Sequence, residues 1–288
     1  MPETKEGTIT KPTDLQAKRR DHLKKACSRL GFNSPINYTT ISNTLHHPKQ
    51  MLVFPKYKLM YCVVPKASCT SWKRLFAVLH GVVDDVDELK HPHTFFRKHF
   101  TWMSQLSLAK RKKVLRTYTK FLFVRNPYSR ILSAYRDKFT DSVKKPSWTL
   151  AARQWLRENT SDPPLSNSSK VSFPQFVTYY LHASPKNNHW EDMNKLCDPC
   201  TVDYDFIGYY ETLKPDSDYM LNLTRAPKGT SFPDPQKVPT HSSSDDILGR
   251  FYSQLSDEQF KWLSESEGLA TDLELFNYFM PEAIKREI

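Results

Sequence analysis

Residues 58–81 read KLMYCVVPKASCTSWKRLFAVLHG, and this stretch decides the fold. Residues 58–64 are a mostly apolar run of strand length, closed by Pro65. Residues 70–80 then set Trp72, Leu75, Phe76 and Leu79 at i, i+3, i+4 and i+7, one face of a helix. Gly81 suits the left-handed residue that stops a helix. The unit is strand, loop, helix. A second unit follows, opened by residues 121–124 (FLFV), a short strand of buried type. Asn126 can cap the next helix and Pro127 fits its first position. Ile131, Leu132, Tyr135 and Phe139 supply the apolar stripe. Two such units predict an α/β fold with a central parallel sheet flanked by helices. Ligands in such folds bind at the carboxyl ends of the strands.

The first loop, residues 65–74 (PKASCTSWKR), lies between a strand and a helix start, where unpaired backbone N–H groups and the helix dipole favour an anion. Lys66 adds a cation, Thr70 and Ser71 add hydroxyls, and Lys73 and Arg74 add charge in the first turn. The alternative reading is an ordinary turn with solvated lysines. In the second unit Arg125 leaves the strand end and Ser133 lies two helical turns on, both in reach of a second phosphate. The planar fork of Arg grips two oxygens together. Arg136 reads as a solvated helix residue.

The whole chain has 288 residues, long enough for one large domain or two small ones. Lys and Arg number 42 against 31 Asp and Glu, a net charge of +11 that calls for polyanionic company. The 7 glycines are too scattered to form G-x-G-x-x-G or a Walker loop, so any phosphate must be held another way. No run of 18 apolar residues is present, and residues 1–20 are polar and basic, without the apolar core of a secretory signal. Residues 1–50 read as a polar stem or docking arm with a short basic helix, and residues 51–288 as the main domain. Residues 141–170 read as an exposed excursion. Helical pieces are expected at 173–181 and 256–264, the second opened by the capping-box pair Ser256 and Gln259. Sequons at Asn37, Asn159, Asn167 and Asn222 hint at a secretory lumen.

Taken together, the two segments resemble the cofactor-binding motifs of the Golgi carbohydrate sulfotransferases, P-K-x-x-C-T-x-W-K-R at 65–74 and F-x-F-V-R-x-P-x-x-R-x-x-S-A-Y-R-x-K-F at 121–139. The likeness continues through His189–Trp190, the C-x-P-C at 197–200 and YDFIGYYETL at 204–213, and weakly through the F-x-x-F-x-Y ending. Within that family the chain is most similar to the chondroitin/dermatan 4-O-sulfotransferases and the HNK-1 sulfotransferase, and the run VLHGVVDDVDELKHPH is most similar to the dermatan member.

The resemblance implies a P-loop-like sulfotransferase fold that moves a sulfuryl group from 3′-phosphoadenosine 5′-phosphosulfate (PAPS) to a sugar hydroxyl. It implies O4 of N-acetylgalactosamine in an acidic chondroitin- or dermatan-type glycan, with an HNK-1-type glucuronyl 3-O acceptor as the alternative. Lys66 would stabilise the leaving bridging oxygen. The segment Lys66, Ala67, Ser68, Cys69, Thr70, Ser71, Trp72 and Lys73 would hold the 5′-phosphosulfate, and Arg125 and Ser133 the 3′-phosphate. Of His91, His93 and His99 between the two motifs, His93 matches a histidine of the family and would be the general base, neutral imidazole having the right range, with an Asp or Glu elsewhere as the alternative. Fixed cations would serve in place of a metal. Family members are type II proteins of the Golgi membrane, facing the lumen; this chain starts without the anchor.

Other motifs carry less. The run KRKKVLR at 110–116 either grips an acidic polymer or is a solvated helix face. Cys197 and Cys200 lack the second pair a structural zinc would want, so a disulfide with an unassigned partner is preferred for either. Glu211 is expected to hold a structural hydrogen bond. Two rival functions remain. A nucleotide-kinase-like enzyme would need the missing Walker loop. A non-catalytic basic protein binding glycan or nucleic acid leaves the paired phosphate motifs unexplained. A bisphosphate cofactor and an acidic glycan account for the charge better than DNA does.

Overall fold

Side chains that alternate along short apolar strands create two faces, and each face draws its own helices. The computed structural model describes residues 12–32, 45–89, 95–96, 99–140, 147–161, 170–224, 226–227, 230–233 and 242–286. Among these the strands are β1 Met51–Phe54, β2 Leu59–Cys62, β3 Thr101–Trp102, β4 Thr119–Val124 and β5 Phe206–Tyr209, in the order β3-β1-β2-β4-β5. The helices are α1 Pro12–Arg29, α2 Cys69–Leu79, α3 Leu108–Thr117, α4 Pro127–Lys138, α5 Ser147–Asn159, α6 Phe173–His182, α7 Met193–Cys197, α8 Leu213–Leu223, α9 Asp245–Tyr252, α10 Asp257–Ser264 and α11 Glu267–Leu275.

β2, β4 and β5 pair in parallel, as the two strand–helix units require. β1 departs from an all-parallel sheet: it runs antiparallel to β2 and to β3. The link from β1 to β2 is only residues 55–58, turned at Lys58 by a φ of 49°. That is far too short for a crossover, so the chain can only fold back.

Met60, Cys62, Val64, Leu122, Val124 and Ile207 face one layer, which also buries residues of α1, α3, α7 and α11. Leu59, Tyr61, Val63, Phe121, Phe123 and Phe206 face the other, against α2 and α8. The predicted stripe of α2 is the buried one. Trp72, 1% exposed, packs its ring 5.1 Å from those of Phe121 and Phe123. Burial of side chains this size is worth roughly 1.5–3 kcal/mol each. Gly81, at φ 71°, ends α2 as expected, with its N–H on Val78 and that of Val82 on Ala77. Gly208 is required for space, since a Cβ there would lie 2.3 Å from the Phe123 ring.

A third core, without strands, gathers Tyr128, Ile131, Leu132, Phe173, Phe176, Trp190, Tyr252 and Phe260. It corrects one expectation. Residues 147–159 are not a polar excursion: α5 buries Thr149, Ala152 and Leu156. Its apolar positions are few and widely set among polar ones, which hid the face. The capping box of Ser256 and Gln259 forms as expected, and Ser172 with Gln175 forms another at α6.

The basic helix of the N-terminal arm packs on the sheet. Gln16 exchanges hydrogen bonds with the Ile207 backbone, Arg19 pairs with Asp216 at 2.8 Å, and Cys27 is disulfide-bonded to Cys200. Cys197 bonds Cys62 at the end of β2. The C-x-P-C turn thus supplies two disulfides rather than metal ligands.

Candidate active site

The carboxyl ends of the three parallel strands converge. After β2, the chain enters α2 through a loop in which Lys66 and Ser68 take positive φ, 71° and 64°. Left-handed residues turn successive N–H groups toward one side, which makes an anion-binding nest. Walker loops use glycine for this; here Lys66 and Ser68 bear the strain, of order 1–3 kcal/mol each. The Ser68 side chain does not cap α2, so it does not compete for the first-turn N–H groups.

After β4, Arg125 is 3% exposed. Its Nη1 donates to the Lys66 carbonyl at 3.0 Å, its Nε and Nη2 donate to the Ser243 hydroxyl at 3.3 and 2.8 Å, and its guanidinium lies 4.1 Å from the Tyr210 ring centroid. Among the described residues no carboxylate pairs with it. Burial pulls Arg125 below its ordinary value, with Tyr210 and Glu211 opposing. A buried guanidinium held only by neutral partners is fitted to receive an anion. After β5, Glu211 closes the ring: it accepts from the Asn126 N–H at 3.0 Å and the Tyr278 hydroxyl at 2.6 Å. Glu211 therefore holds the structural bonds expected of it.

The two motifs are joined twice more. Arg130, 3% exposed, donates to the carbonyls of Pro65 at 3.0 Å and Glu191 at 2.7 Å. Asp137 meets the Lys66 ammonium at 3.1 Å and that of Lys138 at 3.0 Å. Burial lowers Lys66 and Asp137 resists that shift. Burial also pushes Asp137 up, but the two lysines outweigh it and hold the carboxylate below its ordinary value.

Of the anticipated site residues, Lys66, Ala67, Ser68, Cys69, Thr70, Ser71 and Arg125 lie in or beside the nest. Ser133 is buried on α4, one turn before Asp137. Trp72 is a core residue, and Lys73 is buried with its ammonium 5.8 Å from the Trp102 ring centroid. Cys69 is a buried free thiol. His93 and His91 lie outside the described residues. His99 is exposed, with its ring stacked 4.4 Å from that of Phe95.

Arg130, Asp137, Tyr210 and Ser243 were not assigned site roles from the sequence. Asp137 carried a signal, since the i, i+4 spacing puts it on the Ser133 face of α4. Tyr210 and Ser243 meet Arg125 only through the tertiary fold. Arg136 is half-buried rather than solvated, its guanidinium 5.7 Å from the Phe251 ring centroid.

The donor set fits a nucleotide bisphosphate with a sulfated end. The nest and the Lys66 ammonium belong to one loop, and the buried guanidinium that follows the adjacent strand is bonded to that loop.

Comparison with known proteins agrees. The model of the sulfotransferase family matches residues 49–279. Carbohydrate sulfotransferase 9 of Homo sapiens is 34% identical over 96% of this chain and 63% of its own length. Carbohydrate sulfotransferase 11 of Rattus norvegicus is 33% identical over 94% of this chain and 78% of its own. Carbohydrate sulfotransferase 14 of Homo sapiens is 38% identical over 76% and 59%. No solved structure matches significantly.

Proposed function

The chain belongs to the sulfotransferase family, and from that premise we propose that it transfers a sulfuryl group from PAPS to a hydroxyl of an acidic glycan. The observation that carries this is the bond from buried Arg125 to the Lys66 carbonyl, which couples a second anion site to the nest. PAPS, when bound, supplies an activated sulfuryl group whose bond to the 5′-phosphate breaks as the sugar oxygen attacks.

The residues divide the work. N–H groups of the loop and the hydroxyls of Thr70 and Ser71 bind the 5′ end. Arg125 and Ser133 bind the 3′-phosphate and fix the register. Lys66 offsets the negative charge that builds on the bridging oxygen. His93 takes the proton from the sugar hydroxyl. No metal is assigned.

For the acceptor we propose O4 of N-acetylgalactosamine in a chondroitin- or dermatan-type chain. The resemblance of residues 78–93 to the dermatan 4-O enzymes and the +11 charge support it. A lumenal Golgi location is supported by two disulfides and by exposed sequon residues Asn159 and Asn222. Among the described residues no helix is long and apolar enough to cross a membrane.

The test is transfer of radiolabelled sulfate from PAPS to a panel of desulfated glycosaminoglycans, followed by disaccharide analysis. Label on O4 of N-acetylgalactosamine, lost in Lys66→Ala and His93→Ala, is expected. Label at another position removes the acceptor assignment, no label removes the function, and turnover in either variant removes that residue's role.

A further inference from the structure

Two arginines, one of them next in sequence to Asp137, pair with no carboxylate among the described residues. Arg136 on α4 and Arg250 on α9 both lean on Phe251, with guanidinium carbons 5.7 and 5.4 Å from its ring centroid. Among the described residues neither has a carboxylate partner. The Nη1 of Arg136 is shielded from solvent and has no hydrogen-bond partner among the described residues. Arg250 is exposed. Burial, and then Arg250 itself, lower Arg136 from its ordinary value. Two like charges share one ring, and an anion placed between the exposed Arg250 and the half-buried Arg136 would offset their repulsion.

The position is informative. Arg136 precedes Asp137, which touches the Lys66 ammonium, and Lys138 follows. The helix bearing Arg250 begins next to Ser243, which holds Arg125. Arg136 thus sits on the last turn of α4, beside the residue that meets Lys66, and Arg250 on the helix that follows the Ser243 segment. Neither arginine is needed for the nest.

We propose that Arg136 and Arg250 form a subsite for an oxyanion of the acceptor glycan. This rests on the glycan-sulfotransferase reading above. A guanidinium fork binds a carboxylate or a sulfate ester through paired N–H donors, and Phe251 holds both forks in place. The subsite selects an acidic chain over a neutral one and sets its direction across Lys66.

Calorimetric titration tests this without turnover. One ligand is unsulfated chondroitin oligosaccharide, whose anions are carboxylates alone. The other is carboxyl-reduced chondroitin sulfate, whose anions are sulfate esters alone. Arg250→Gln is expected to raise the dissociation constant of one of them about tenfold, the scale of one charge-assisted hydrogen bond. Loss in the first arm assigns a carboxylate, and loss in the second a sulfate. Unchanged affinity in both, or no binding by the unaltered protein, overturns the proposal. A retained thermal shift with the product 3′,5′-bisphosphate certifies the fold of the variant, and Arg250→Lys replaces it if that shift is lost. Failure of the enzymatic reading would show separately, as absence of sulfate transfer by the unaltered protein.

Discussion

Arg130→Met should be the most damaging single change on α4, although Arg130 faces no proposed ligand. Its guanidinium is 3% exposed and reaches three carbonyls: Pro65 at 3.0 Å, Glu191 at 2.7 Å and, more weakly, Asn188 at 3.5 Å. Methionine fills the stem volume but donates nothing. Two charge-assisted hydrogen bonds are lost, at about 1.5–3 kcal/mol each, and their acceptors stay buried. Removing a desolvated charge returns part of that, because burial is what holds the guanidinium below its ordinary value. The net loss should be about 3–5 kcal/mol. For a chain of this size that is about 6–10 °C in the unfolding midpoint. Arg130→Lys keeps the charge, but one ammonium cannot span Pro65 and Glu191, so it should recover less than half. Pro65 opens the nest, so affinity for 3′,5′-bisphosphate should fall with stability. Scanning calorimetry measures the first, and titration below the variant's transition measures the second. A methionine variant within 2 °C of the parent, or a lysine variant that restores it fully, would refute the reasoning.

Three further outcomes are expected. Asp137→Asn removes the main support for the Lys66 charge, so burial lowers Lys66 further and the alkaline limb of the pH profile of kcat/KM should move to lower pH; an unmoved limb would separate Asp137 from Lys66. Cys62→Ala with Cys197→Ala opens a link spanning 135 residues and should cost about 2–5 kcal/mol in denaturant unfolding; a midpoint unchanged on reduction would argue against the bond. Asp272, fully buried and beside Asp192, is pushed from 3.8 to about 7, so the folded state holds its proton longer than the unfolded chain does. Stability from this group is complete below the unfolded value and declines as pH rises toward about 7. The decline should be missing in Asp272→Asn, and an identical pH slope in both proteins would remove the assignment.

The strand–loop–helix units were legible because each is written within one window: an apolar run, a stop, then period 3.6. β1 and β3 were not, since β1 runs into a tight turn at 55–58 that sets its direction rather than into a helix, and β3 is only two residues long. The same division runs through the site. Lys66 and Arg125 could be named from local sequence because each sits at a strand end, where any parallel sheet gathers ligands. The partners of Arg125 could not. Ser243 and Tyr210 are 118 and 85 positions away, and no spacing rule covers that distance.

Arg130, Arg136 and Asp137 show why composition alone misassigns charge. All three lie in a 12-residue helix that reads as basic and amphipathic, and helical spacing separates only the buried stripe from the rest. What each charge does depends on what the tertiary fold places opposite it. Arg130 meets backbone carbonyls and becomes a structural tie. Asp137 meets Lys66 and becomes a positioning group. Arg136 meets Phe251 and another arginine, and among the described residues no carboxylate pairs with it. The excess of 42 cations over 31 acids is therefore not one property spread over a surface. On this helix it resolves into a charge satisfied by backbone carbonyls, a charge paired with a neighbouring lysine, and a charge resting on an aromatic ring, and under the subsite proposal only the last kind would meet an acidic acceptor.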